Sequence, residues 1–160
     1  LGCNLHFINM GILKTLKRKL LNINYKLSNN LKFPKNKNII VTGANSGIGF
    51  QLTKILSIND NNLFAFINFN DDKILNLKKK NIKIAKCDFS NPQNIDNYSE
   101  QIKNFKPNIL INCAATFGPE NQNFNDIILK EFNTTININA LSPLFLIQKS
   151  LQSRSLEQII

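Results

Sequence analysis

Short apolar runs and amphipathic stretches alternate along most of this 160-residue chain. Ile39-Ile40-Val41, Leu63-Phe64-Ala65-Phe66-Ile67 and Ile109-Leu110-Ile111 have the length and the β-branched or aromatic content of buried strands. Ile82-Lys83-Ile84-Ala85-Lys86-Cys87 is a further strand, and Leu156 to Ile160 begins a fifth. Between them, Ile48, Leu52, Ile55 and Leu56 recur at helical spacing, which predicts an amphipathic helix. Asp71 to Lys80 reads as a short helix or turn. Asn91-Pro92 opens another helix, because Pro is tolerated in a first turn, and Ile95, Tyr98, Ile102 and Phe105 form its core face. Helical spacing returns from about Asp126 to Leu151. Apolar strands alternating with amphipathic helices predict an α/β domain, a parallel sheet covered on both faces. Right-handed crossovers make it a doubly wound sheet. The alternation occupies residues 38–160, one domain in size.

The turn after the first strand carries the main candidate chemistry. Thr42-Gly43-Ala44-Asn45-Ser46-Gly47-Ile48-Gly49 joins a predicted strand to a predicted helix. Ligands of such sheets bind beyond the C-terminal ends of the strands, where this turn lies. Gly43 permits the tight turn, Gly47 lets backbone approach a pyrophosphate, and Gly49 lets the helix pack on the strand. Unpaired amides and the positive dipole end of the helix face the phosphates. The spacing is G-x-x-x-G-x-G, and no Gly-Lys-Ser/Thr follows, so the turn is not a nucleotide triphosphatase loop.

Charge separates the chain into two parts. The net charge is +10, but residues 1–37 hold eight Lys or Arg and no acid. Residues 38–160 hold twelve Lys or Arg against ten acids. The domain is nearly balanced, which argues against a nucleic-acid partner. Within the leader, Ile12, Leu13, Leu16, Leu20 and Leu21 recur at helical spacing with Lys14, Lys17 and Arg18 on another face, predicting an amphipathic helix over 12–22. Peripheral contact with an anionic membrane, N-myristoylation if Met10 is a start, a targeting peptide, or a loosely docked leader all fit this segment. Phe33-Pro34-Lys35-Asn36-Lys37 separates it from the domain. Leu1 is not an initiator and Ile160 falls inside the fifth strand, so the chain reads as a fragment. Cys3, Cys87 and Cys113 are widely spaced with a single His6, giving no metal-ligand pattern. They read as free thiols of a reducing, cytoplasmic compartment, with Cys87 and Cys113 buried.

Thr42-Gly-x-x-x-Gly-Ile-Gly49 resembles the cofactor turn of the short-chain dehydrogenase/reductase family, and three more matches follow in order. Asp88, in Cys87-Asp88-Phe89-Ser90, resembles the family aspartate that hydrogen-bonds adenine. Asn112-Cys113-Ala114-Ala115 resembles the family's Asn-Asn-Ala-Gly, and Asn139 the asparagine of the long helix that follows. The resemblance covers about residues 38–160. It implies a Rossmann fold, an NAD(P) cofactor and a carbonyl or alcohol substrate. Thr42, Gly43, Asn45, Ser46, Gly47, Ile48 and Gly49 would then surround the pyrophosphate. Asp88 and Phe89 would meet adenine, Asn112 would fix the central sheet, and Cys113, Ala114 and Ala115 would line the cofactor site. Asn139 would hold a water in the proton relay. The resemblance also implies a homo-oligomer formed through the long helix. Phe117-Gly118-Pro119-Glu120-Asn121-Gln122 is similar to the small carbonyl reductases related to C-factor and Sniffer proteins.

Two features keep alternatives open. Asn68, after the second strand, is neutral where an acid would favour NAD and a base NADP, although Lys73 could reach a 2′-phosphate. The resemblance places the family's catalytic serine after the fifth strand and its Tyr-x-x-x-Lys beyond that, and neither Tyr25 (Asn29 four residues on) nor Tyr98 (Ile102) can supply the pair. The expectation is therefore an oxidoreductase when full length, with this chain alone inactive. The alternatives are a non-catalytic dinucleotide-binding module and an inert gene fragment.

Overall fold

A computed structural model describes residues 33–77, 81–119 and 123–160. The leader, its expected helix over 12–22, Cys3, His6 and Glu120 to Gln122 lie outside the described residues. Five parallel strands form one sheet: β1 (Asn38–Thr42), β2 (Asn62–Ile67), β3 (Ile82–Lys86), β4 (Ile109–Ile111) and β5 (Gln158–Ile159), in the order β3-β2-β1-β4-β5. The strand order reverses beside β1, as it must in a doubly wound sheet, and the cleft at that switch point is where such sheets bind ligands.

The helices are α1 (Gly47–Leu56), α2 (Asp72–Asn76), α3 (Ser99–Phe105), α4 (Leu129–Ile136) and α5 (Ser142–Leu151). Local chemistry explains their ends. Asp71 caps α2 by accepting the Lys73 amide at 2.8 Å. Asn91 accepts the Gln93 amide, with Pro92 beginning a 3-10 turn (Pro92–Tyr98) that runs into α3. Lys106 closes α3 in the left-handed conformation, φ +51°, and the following Pro107 cannot continue a helix.

The central strands are buried on both faces. Ile40, Phe64, Phe66 and Leu110 pack with Ile95, Ile102 and Leu146 on one side. Ile39, Val41, Leu63 and Ala65 bury the opposite side chains of the same strands. On this core, Phe64 and Phe66 stack with ring centroids 4.7 Å apart. Tyr98 and Phe105 are only partly buried against it.

Two expectations require correction. The apolar positions of α1 do not form one core stripe: Gly49, Thr53 and Leu56 are buried, while Ile48 is 74% exposed and Ile55 also reaches solvent. The small residues Gly49 and Thr53 let the helix approach the sheet, so the helical period predicted the element but not its buried face. The long segment from 126 to 151 is helical without a break only from Leu129 to Leu151, and it is not α-helical throughout. A 3-10 turn (Phe124–Asp126) precedes α4, and a π-helical turn (Asn137–Leu141) joins α4 to α5. Such turns insert one residue and shift the register of all that follows.

Candidate functional site

The C-terminal ends of β1, β2, β3 and β4 converge on the Gly-rich turn. Ala44 donates its amide to the Phe66 carbonyl at 3.0 Å, fastening the turn to the end of β2. Cys87 donates to the Ile67 carbonyl at 2.9 Å, so the chain leaving β2 runs beside Cys87 and Asp88. Thr42 Oγ1 accepts the amides of both Cys113 and Ala114 at 3.0 Å, fastening β1 to the end of β4.

Glycine is required at three points for three reasons. Gly43 has φ +64°, and a Cβ there would come within 2.9 Å of the Ala114 nitrogen. At Gly49 a Cβ would strike the Gly43 carbonyl and lie 3.0 Å from the Thr42 oxygen, so only glycine lets α1 begin against β1. Gly47 differs: φ is +51° and a Cβ would meet nothing within 4 Å. Its missing side chain leaves open space in the cleft. Ser46 makes no side-chain capping bond to α1. The first amides of α1 have no partner within the helix, and Gly47 and Ile48, which carry the first two of them, line the cleft.

That cleft has a volume of about 410 Å³. From the predicted set it brings together Gly43, Asn45, Ser46, Gly47 and Ile48 of the turn, Asn68, Asp88 and Phe89, and Cys113, Ala114 and Ala115. Thr42 and Asn112 lie behind it, on the wall of a separate void of about 10 Å³. Gly49 is buried beneath the turn, and Asn139 stands beyond the cleft wall. Phe69, Thr116 and Ile138 line the cleft and were not foreseen. The place of Phe69 next to Asn68, and of Thr116 next to Ala115, was the available signal.

The polar groups have distinct situations. Asn45 is 4% exposed and its Nδ2 has no partner, so a buried donor stands in the cleft wall. Such a group is costly unless something accepts from it. Asn112 Oδ1 is also buried without a partner, while its backbone N–H donates to the Ile160 carbonyl at 2.7 Å. Asp88 is exposed; its Oδ1 accepts the Ser90 amide at 2.9 Å, and its carbonyl accepts from Asn94 Nδ2. Asn139 Oδ1 accepts the Thr116 amide and its Nδ2 donates to the Thr116 carbonyl. Two side chains outside the predicted set tie the helical layer to the end of β3. Asn137 Nδ2 donates to the Ser90 carbonyl, and Ser142 Oγ donates to the Phe89 carbonyl, both at 2.8 Å.

The cysteines part company. Cys87 is buried, and burial followed by the nearby Asp88 carboxylate pushes its thiol up to about 11. Cys113 is only half-buried and lines the cleft, a correction to its expected core position; desolvation raises its pKa too. Its amide is held by Thr42, which turns the residue toward the rim instead of the core. Among the described residues no cluster of His, Cys, Asp or Glu could hold a metal ion. No helix among them is long and apolar enough to cross a membrane.

The family described as short chain dehydrogenase matches residues 37–158. Several solved structures share the fold. A short chain dehydrogenase from Burkholderia cenocepacia J2315, in complex with NADP, is 21% identical with a TM-score of 0.63, over 74% of this chain and 51% of that one. A 4-hydroxyisoleucine dehydrogenase complexed with NADH is 26% identical with a TM-score of 0.62, over 71% of this chain and 48% of that one. Sniffer of Caenorhabditis elegans, a candidate carbonyl reductase, is 20% identical with a TM-score of 0.65, over 74% of this chain and 53% of that one. The chain thus spans about half the length of these structures. No curated protein matches it by sequence. With its family match running from the residue before β1 to the first residue of β5, and its Gly turn set at the switch point of the sheet, the chain belongs to the short-chain dehydrogenase family.

Proposed function

We propose that this chain is the dinucleotide-binding part of an NAD(P)-dependent oxidoreductase that interconverts a carbonyl and an alcohol. The observation that carries the reading is the unfilled cradle at Gly47, where a missing Cβ, unpaired α1 amides and the orphan Asn45 donor meet in one cleft. The pyrophosphate would lie on the amides at the start of α1. Asp88 would receive the adenine, with Phe89 beside it. Cys113, Ala114, Ala115 and Thr116 would border the nicotinamide end. A nicotinamide bound there supplies hydride transfer. Asn139 acts as a positioning residue, because both ends of its amide hold Thr116.

NADP and NADH in the related structures support this cofactor class. The likeness to Sniffer, named as a candidate carbonyl reductase, supports a carbonyl substrate. The 160 residues contain no Tyr-x-x-x-Lys, so on this reading they bind cofactor without turning over substrate. Free Cys87 and Cys113 fit the reducing cytoplasm. Phe132, Ile136, Leu141, Leu144 and Leu151 expose apolar side chains along α4, the π turn and α5, and we assign this face to a second copy of the chain.

Calorimetric titration with NADH and NADPH tests the reading. Saturable binding of either, abolished by Gly47→Asp, is expected. Binding that survives Gly47→Asp unchanged places the ligand elsewhere and overturns it.

A further inference from the structure

A second cavity adjoins the cleft on the β4 side of the sheet, away from β3 and Asp88. Its volume is about 260 Å³. Phe117 and Pro119 border it from the chain leaving β4, Ile127 and Ile128 from the chain entering α4, and Phe132 and Thr135 from α4 itself. The two spaces share a wall. Thr116 lines the cleft and Phe117 the cavity, and along the helical segment Thr135 lines the cavity and Ile138 the cleft.

Both borders of the cavity are tied down. Asn139 holds the Thr116 backbone at two points, and Thr116 Oγ1 accepts the Gly118 amide at 3.2 Å. Gly118 takes φ +83°, a turn that sets Phe117 at its corner. Opposite in sequence, the Ile128 carbonyl accepts the Glu131 and Phe132 amides at 3.0 Å, which fixes Ile128 at the N-cap of α4. Thr135 directs its hydroxyl proton to the Glu131 carbonyl within the helix. Phe117, Ile127 and Ile128 are each more than half exposed, so an apolar group seated among them removes their surface from water along with its own. A cavity of about 150 Å³ takes benzene, so about 260 Å³ takes one substituted ring or a branched alkyl group.

We propose, resting on the dinucleotide reading above, that this cavity receives the apolar body of the substrate, a single aryl ring or a branched alkyl group, with Phe117, Ile127 and Ile128 as its specificity residues. The carbonyl end of such a substrate then stands at the shared wall by Thr116, beside the nicotinamide end of the cleft.

The test is NMR on the full chain with labelled isoleucine methyl groups, using acetophenone as the apolar probe and hydroxyacetone as the polar one, with NADH titrated in parallel by calorimetry. Acetophenone is expected to shift the Ile127 and Ile128 methyl signals saturably and to leave those of the fully buried Ile40 and Ile102 in place. Hydroxyacetone is expected to shift neither pair. With NADH also bound, an interligand NOE should join acetophenone to the nicotinamide ring. Ile128→Asp sets a carboxylate in the cavity wall at a position where aspartate caps a helix, so α4 is kept, and acetophenone affinity should fall about tenfold or more. Phe117→Ala, at an exposed position, should lower it severalfold. Shifts spread over the core, or an affinity unmoved by Ile128→Asp, overturn the inference and leave the dinucleotide reading standing where NADH still binds. A missing interligand NOE overturns the substrate role. A fall in mass on Ile128→Asp, with no acetophenone shift in the unaltered chain, gives the cavity to a second copy and overturns it too. Failure of NADH to bind overturns the dinucleotide reading and this inference together.

Discussion

Asn139 and Thr116 form a two-point clamp: the Asn139 Nδ2 donates to the Thr116 carbonyl at 2.8 Å while its Oδ1 accepts the Thr116 amide at 2.9 Å. Thr116 lines the cleft, so this clamp ties the cleft wall to the π turn between α4 and α5. Asn139→Ala removes both bonds, and Asn139→Asp sets a carboxylate oxygen against the Thr116 carbonyl. Each is expected to lower stability by about 1 kcal/mol, since the site is open enough for water to replace part of the loss. Hydrogen exchange at the Thr116 amide should accelerate in both variants. Unchanged exchange would show that the clamp does not hold the loop in solution.

Thr42 is a second junction, and its cost is larger because it is buried. Its Oγ1 accepts two amides at once, from Cys113 and Ala114, and the residue is 3% exposed. Thr42→Val keeps the shape and removes the acceptor, leaving both donors unsatisfied. A loss of about 1–3 kcal/mol is expected in urea unfolding. Thr42→Ser restores the acceptor and should recover most of it. If valine and serine behave alike, the loss comes from packing and not from the hydroxyl.

These junctions mark the limit of what could be read from the chain alone. Strands with runs such as Leu63–Ile67 are legible because burial on both faces makes them continuously apolar. The Gly turn is legible because Gly43 and Gly49 leave no room for a Cβ and Gly47 takes a left-handed backbone. The place of Ile48 on the core face of α1 was misread, although its place in the cleft was not, because helical spacing reports periodicity, whereas the buried face of α1 is chosen by how closely Gly49 and Thr53 let it approach β1. The π turn was missed because its one trace, a one-residue shift in the spacing of apolar positions after Ile136, reads as a helical stripe only once the turn is known. Asn137 and Ser142 were missed for a related reason: their partners, Ser90 and Phe89, are about fifty residues away and are backbone carbonyls, which have no residue signature.

Cys87 gives a pH dependence with a definite sign. Its folded pKa is raised to about 11 by burial and then by Asp88. A raised thiol pKa means the folded state keeps its proton while the unfolded chain loses it. Its stabilising effect is fully present below the ordinary thiol pKa and is lost as pH rises from about 9 toward about 11. Over that window unfolding free energy should fall by up to about 1.4 kcal/mol per pH unit from this group. Cys87→Ala should flatten that part of the profile. In a Cys3→Ser background, a thiol reagent at pH 8 should modify the half-buried Cys113 first. Fast modification of Cys87 would show that its pocket opens.

The proposed self-association of α4 and α5 depends on the register shift between them. Phe132 and Ile136 precede the π turn, and Leu141, Leu144 and Leu151 follow it, at spacings that stay on one side only if the extra residue of the turn is counted. Leu144, 59% exposed, stands on this face. Leu144→Glu is expected to shift the protein toward a monomer in sedimentation or light scattering while leaving dinucleotide binding intact. A species of unchanged mass would remove this face from the interface.

Gly47 and Gly49 separate stability from binding within a single turn. Gly49→Ala drives a methyl into the Gly43 carbonyl, a backbone group that cannot move without shifting the start of α1. Loss of several kcal/mol is expected, in the upper part of the usual range of about 0.5–3 kcal/mol or beyond. At Gly47 the added methyl meets no protein atom, and its cost is the left-handed backbone alone, about 1–2 kcal/mol. On the proposed dinucleotide reading its larger effect falls on the ligand, because the methyl would occupy the open space at Gly47 where the phosphate is expected. Gly47→Ala should therefore weaken dinucleotide affinity by about tenfold or more, with a small change in melting temperature, while Gly49→Ala should melt far earlier. Equal damage to stability from both substitutions would mean that the space at Gly47 serves the turn and not a ligand.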